Sequence, residues 1–147
     1  LACGLDHSVA VGECGGVWSW GAEGAPLGYQ ASAPQTTPRR VKFVSSADEQ
    51  RRDKVHACRA AAADGHTLVV ARDGALWGWG RNTHGELAVG SHTAEAVTPR
   101  RITISSSRLV AIAAGASHSA AVAEDSEVRR EAARRSSYFD RMAEMYL

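Results

Sequence analysis

The segment Leu1-Ala2-Cys3-Gly4-Leu5-Asp6-His7-Ser8-Val9-Ala10-Val11 recurs twice in this chain. It returns as Ala61-Ala62-Ala63-Asp64-Gly65-His66-Thr67-Leu68-Val69-Val70, and again as Ile112-Ala113-Ala114-Gly115-Ala116-Ser117-His118-Ser119-Ala120-Ala121-Val122. Self-similarity of this kind constrains the fold more than any other feature, because one supersecondary unit must then stack on copies of itself. The copies agree well beyond the histidine. Thirteen positions separate His7 from Trp20, and thirteen separate His66 from Trp79. Both tryptophans end a Trp-x-Trp-Gly block, Trp18-Ser19-Trp20-Gly21 and Trp77-Gly78-Trp79-Gly80. Farther on, Thr37-Pro38-Arg39-Arg40-Val41 matches Thr98-Pro99-Arg100-Arg101-Ile102, after a loop two residues shorter in the first copy.

The interval from His7 to His66 is 59 positions and that from His66 to His118 is 52. The excess falls on a charged, aperiodic stretch at about 45–54, which reads as a surface insertion. Repeats therefore start near residues 1, 60 and 111, with a unit of roughly 50 residues, the range of propeller blades. Within a unit the pattern is that of short strands. Thr67-Leu68-Val69-Val70-Ala71 is apolar and β-branched, Arg72-Asp73-Gly74 is a turn, and Ala75-Leu76-Trp77-Gly78-Trp79 follows. An Asp-Gly turn between two such runs is the strongest short-range hairpin signal. The fold class expected is all-β.

These motifs resemble the repeat of the regulator of chromosome condensation family, the RCC1-like β-propellers. The signature of two small residues, Gly-x-x-His-Ser and alternating apolar residues is matched by Leu1–Val11 and Ile112–Val122, with Ala63 replacing glycine in the second copy. The family block Trp-Gly-x-Asn-x-x-Gly-Gln-Leu-Gly is similar to Trp79-Gly80-Arg81-Asn82-Thr83-His84-Gly85-Glu86-Leu87-Ala88, where Glu86 and Ala88 depart from the usual residues. The resemblance covers residues 1–123 and implies four-stranded blades around an axis, here two full repeats and part of a third. A short α-helical tail is expected over 124–147.

The repeated residues read first as structure. Gly4 and Gly115 suit close backbone approach, and Gly21 and Gly80 suit the positive φ of a sharp strand exit. His7, His66 and His118 could be ligands. One per blade holds them apart, however, and favours buried imidazoles hydrogen-bonded to backbone across a blade junction. Trp18, Trp20, Trp77 and Trp79 could stack nucleic-acid bases, although identical placement in two copies favours core packing. Asn82 and Gly85 belong to the loop after the Trp-Gly block.

A closed seven-bladed ring would need roughly 350 residues at this unit length, against 147 here. A segment of a larger protein is therefore expected, its open edges covered by missing blades or by other protein subunits. Seventeen Lys and Arg against sixteen Asp and Glu leave a net charge of +1, which disfavours nucleic acid as the main partner. Arg39, Arg40, Arg100 and Arg101 occupy equivalent repeat positions and read as a solvated rim, or alternatively as a surface for an anionic partner. The odd, scattered cysteines Cys3, Cys14 and Cys58 suggest an intracellular setting. No apolar run is long enough for a membrane span.

In the tail, Val128, Ala132, Arg135, Phe139, Met142 and Tyr146 are spaced 4, 3, 4, 3 and 4 apart. That is a helical stripe, suited to packing on the propeller or to docking in a partner's groove through Phe139, Met142 and Tyr146. No phosphate loop, nucleophile elbow or metal-ligand spacing is present, so no catalytic, cofactor or metal residues are expected. The function expected is a non-enzymatic interaction or scaffold segment of a larger assembly. Guanine-nucleotide exchange on a small GTPase is the alternative. A chromatin-associated or ubiquitin-ligase-associated module is a further one. All rest on fold analogy.

Overall fold

The structure is a computed structural model that describes residues 1–43, 55–90, 93–104 and 108–124. The insertion at about 45–54 and all of the tail beyond Glu124 lie outside the described residues. Strands β1 (Ala2–Cys3), β2 (His7–Val11), β3 (Val17–Gly21) and β4 (Gln35–Arg40) form one antiparallel sheet in that order. Strands β5 (Ala57–Ala62), β6 (His66–Ala71), β7 (Leu76–Arg81) and β8 (Glu95–Ile102) repeat it. A two-stranded hairpin of β9 (Leu109–Gly115) and β10 (His118–Ala123) starts a third sheet. Apart from a 3-10 turn at Ala25–Leu27, every regular element among the described residues is a strand.

The two full blades share one register. His7 pairs with Gly21 as His66 pairs with Gly80, Ser8 with Trp20 as Thr67 with Trp79, and Ala10 with Trp18 as Val69 with Trp77. Both also slip at the same point of the third-to-fourth pairing, between Ser19 and Gly21 and between Gly78 and Gly80. That irregularity puts Gly21 at φ +131° and Gly80 at φ +102°. A Cβ at either would run into the carbonyl oxygen of Asp6 or Gly65, so only glycine fits the bend.

Because side chains alternate along a strand, each blade has two faces. Val9 and Val17 of the first blade, with Leu27, Tyr29, Val41 and Phe43, pack against Val69, Trp77 and Trp79 of the second. On the opposite face of the second blade, Leu68, Val70, Leu76, Leu87, Ala96 and Ile102 cluster with Leu109, and Ile112 packs against them. The core therefore lies between the sheets. β6, buried along its whole length from His66 to Ala71, is covered on both sides, which explains the apolar run Leu68–Ala71 after its two polar residues. Burying such a side chain stabilises by about 1.5–3 kcal/mol.

The first strands adjoin one another, β5 against β1 on one side and β9 on the other. The fourth strands, β4 and β8, form the opposite margin of each sheet and each carry Thr-Pro-Arg-Arg. Proline withholds a ladder N–H and the arginines add charge, two devices that discourage edge-to-edge pairing. Among the described residues no helix is long and apolar enough to cross a membrane.

Candidate functional site: the blade junctions and their open faces

At the first junction, His7 of β2 reaches across to β6, with Nε2 2.9 Å from Thr67 Oγ1. Thr67 donates its own hydroxyl proton to the Pro26 carbonyl at 3.1 Å, and Trp79 Nε1 donates to the same carbonyl at 2.7 Å. With the hydroxyl proton spent on Pro26, Thr67 can only accept from the imidazole, so His7 carries its proton on Nε2. Nδ1 is buried without a partner, and the nearest carboxylate oxygen, of Asp6, is 4.0 Å away. Burial pushes the His7 pKa down, Asp6 opposes that, and His66 adds to it.

The second junction repeats the contact, with His66 Nε2 2.9 Å from Ser119 Oγ of β10. Burial again lowers the imidazole's pKa, with Glu86 opposing and Arg81 and His118 reinforcing it. A second tie runs beside it. Arg81 Nη2 donates to the Ala116 carbonyl in the β9–β10 turn at 2.5 Å, and Arg81 Nε donates to Glu86 at 3.2 Å. The Glu86 side chain is fully buried. Burial would raise its pKa, but its own N–H, the His84 N–H and the His84 and Arg81 side chains hold it down at about 2. A carboxylate that low stays ionised and keeps the guanidinium aimed at the third blade.

The histidines therefore sit at blade junctions, but their partners are hydroxyls rather than the backbone groups expected from sequence. The reason is strand alternation. The residue after each histidine points to the opposite face, so the histidine of one blade meets the Ser or Thr that follows the histidine of the next. Gly4 and Gly115 leave room for the rings: a Cβ at either would collide with the imidazole of His7 or His118. Ala63 stands at that position in the second copy and keeps the same backbone bond, Ala63 N–H to His66 O at 3.0 Å.

The tryptophans divide by blade. Trp77 and Trp79 are 5 % and 0 % exposed, and Phe43 meets both rings edge-on at 5.3 and 6.0 Å. Trp18 and Trp20 occupy equivalent places but are only half-buried, because they face away from the second blade. At the other end His118 is exposed on the far face of β10, together with Val122 at 57 %. Core packing thus accounts fully for two of the four tryptophans.

Asn82 organises the loop after β7. Its Oδ1 accepts from Leu87 N–H at 2.9 Å, and its Nδ2 donates to the Thr93 carbonyl at 2.9 Å. Gly85 turns that loop at φ +81° with open space around it. Of the rim arginines, Arg39 stacks 4.4 Å over the Tyr29 ring, while Arg40, Arg100 and Arg101 are exposed. Phe139, Met142 and Tyr146 lie outside the described residues. Sequence reasoning assigned no junction contact to Ser8, Thr67, Ser119, Pro26, Arg81 or Glu86. The signal for the first three was visible: a hydroxyl residue follows the histidine in every copy.

A cleft of about 510 Å³ opens beside β5, and its charged lining residues Glu13, Arg59 and Arg72 are all exposed. Among the described residues no group of three or more His, Cys, Asp or Glu could hold a metal ion.

A family model, the regulator of chromosome condensation (RCC1) repeat, matches residues 73–122. That segment runs from the β6–β7 turn through β7, β8 and β9 into β10, so one sequence repeat straddles the junction between two blades. The ultraviolet-B receptor UVR8 of Arabidopsis thaliana is 32% identical over 123 residues, covering 83% of this chain and 26% of that protein. The probable E3 ubiquitin-protein ligase HERC6 of Homo sapiens is 27% identical over 125 residues, covering 83% of this chain and 11% of that protein. Among solved structures, yeast RCC1 (Prp20) bound to Kap60 superimposes with a TM-score of 0.68 at 24% identity, over 82% of this chain and 29% of that one. The chain thus spans less than a third of each of these proteins. Repeated register, repeated junction and these likenesses agree that the chain is a segment of RCC1-like propeller repeats, two full blades and part of a third.

Proposed function

We propose that this segment serves as a non-enzymatic protein-interaction and scaffold element of a longer protein. The observation that carries the reading is the junction itself. One interface is used twice within the chain, and its two halves are also presented outward, Trp18 and Trp20 at one end and His118 and Val122 at the other. A module whose ends repeat its own internal interface is built to be continued by further blades or subunits. The rim supports the same reading, since Arg40, Arg100 and Arg101 stand exposed along the outer strands, where an acidic protein surface could meet them. Cys3, Cys14 and Cys58 are all free and exposed, which supports a reducing, intracellular compartment.

The test is affinity isolation of the intact protein that carries the segment, alongside release of labelled GDP from a panel of small GTPases. A stoichiometric protein complex with no change in GDP release is the expected result. Catalytic acceleration of GDP release would overturn the scaffold reading in favour of exchange activity.

A further inference from the structure

The charges of the described residues are sorted along the strands. Each full blade has one end that carries its β2–β3 or β6–β7 turn and an opposite end that carries its histidine. Register places Arg40 opposite Trp18, Arg59 opposite Val70 and Arg101 opposite Trp77, all close to the turn end, and Arg72 lies in the β6–β7 turn itself. Lys42 follows Val41, whose N–H donates to the Val17 carbonyl at 2.8 Å. Arg108 lies next to Gly74 of the β6–β7 turn, where an added Cβ would come within 3.6 Å of it. All six are exposed, and among the described residues only Glu13, Asp73 and Glu124 oppose them at this end. The opposite end carries Asp6, Glu23, Asp64, Glu86 and Glu95 against Arg81. The ion pairs between described residues, at His7, Arg81 and His84, all lie at that opposite end and use none of the six. Blades stack through their sheet faces, whereas these turns and strand ends point along the strands. Further blades would extend this end of the molecule and leave it uncovered.

We propose that the turn end of the second blade binds an extended acidic peptide of a partner protein, with Arg59, Arg72 and Arg101 as its carboxylate-binding groups. This rests on the interaction-element reading above and gives it a partner chemistry. The three arginines cross the blade from its first strand to its fourth. Three strand spacings make about 14 Å, which four or five extended residues cover. Guanidinium groups suit this partner because their planar fork takes a carboxylate through two parallel bonds. A nucleic acid fits less well. Trp77 and Trp79 of this blade are buried and offer no platform for bases, and exposed Glu13 and Asp73 interrupt the field that a continuous phosphate backbone needs. The acidic opposite end repels the same peptide, so charge also directs its approach.

The experiment is fluorescence anisotropy of the intact protein that carries the segment, titrated into a labelled decaglutamate peptide. Decaglutamine and a ten-nucleotide single-stranded DNA serve as the competing probes. Decaglutamate is expected to bind, more weakly as salt rises from about 50 to about 300 mM, while decaglutamine does not. Arg72→Glu with Arg101→Glu should weaken binding at least about tenfold, and the milder Arg72→Gln with Arg101→Gln about threefold. Glu95→Gln, a charge change at the other end of the strand that holds Arg101, should leave the dissociation constant within about twofold. Unchanged circular dichroism is expected for all three variants, whose altered side chains are exposed. A graded loss between the two paired variants is then an effect of charge and not of misfolding. No binding of decaglutamate up to hundreds of micromolar, or binding that neither paired variant weakens, would overturn the proposal. DNA bound more tightly than decaglutamate at the same salt would overturn it in favour of a nucleic-acid partner. Any of these results would leave the interaction-element reading standing, since that falls only if the intact protein accelerates GDP release.

Discussion

Thr67→Val isolates the polar part of the first junction. Valine keeps the shape of threonine in a site with no exposure, so little packing changes and only the hydroxyl is lost. Pro26 retains the bond from Trp79 Nε1 at 2.7 Å. His7 has no such reserve: its Nε2–H would be left buried without an acceptor, in a ring whose Nδ1 already lacks a partner. Leaving one buried polar group unsatisfied costs about 1–3 kcal/mol. The same deletion at the second junction, Ser119→Ala, should cost less than about 1 kcal/mol, because Ser119 is exposed and water can replace it. Urea unfolding followed by tryptophan fluorescence measures both: the midpoint should fall further for Thr67→Val, with an unchanged slope. A loss below about 0.5 kcal/mol for Thr67→Val, or equal losses for the two variants, would refute the idea that a buried imidazole depends on this hydroxyl.

Ala88 lies at φ +49°, where the first blade has Gly28 at φ +79°. Ala88→Gly should therefore stabilise by up to about 1 kcal/mol, read as a raised melting temperature, whereas a lower one would contradict a strained alanine. Gly80→Ala should destabilise by at least about 2 kcal/mol, since it adds a Cβ at φ +102° against the Gly65 carbonyl; an unchanged melt would refute the bend. Acid should act in two stages. His7 and His66 have folded pKa values below 6.5, so the unfolded chain binds protons first and stability drops as pH falls from about 6.5. Glu86 is likewise depressed, from 4.5 to about 2, so a further loss follows across that interval. Thermal melts from pH 8 to 3 measure both, and a melting temperature flat between pH 7 and 5 would contradict the first stage.

Much of the architecture was legible because repetition turns single residues into coordinates. His7 and His66, with Trp20 and Trp79 thirteen positions on, anticipated the shared register of β2–β3 and β6–β7. Which face each residue occupies was less legible. The partner of His7 is 60 residues away on another sheet, and nothing local in sequence distinguishes a hydroxyl acceptor from a backbone carbonyl. Trp18 and Trp77 carry the same motif yet differ in burial, because burial depends on which blade stands next and not on the residue itself. The Arg81–Glu86 tie was hidden for a different reason. In the sequence Glu86 stood out only as a departure from the usual glutamine, and only the folded loop, with the His84 and Glu86 N–H groups turned toward the carboxylate, makes an ionised glutamate suit a buried place.

The claim at the centre of this account is that a neutral histidine on one blade donates to a hydroxyl on the next. Nitrogen-15 chemical shifts of the imidazoles measure that most directly, because protonated and bare ring nitrogens differ widely. The account predicts that His7, above pH 7, is locked as the tautomer with the proton on Nε2 and a bare Nδ1, while the exposed His118 averages between tautomers. A proton on Nδ1 of His7, or averaging at His7 like that at His118, would contradict it.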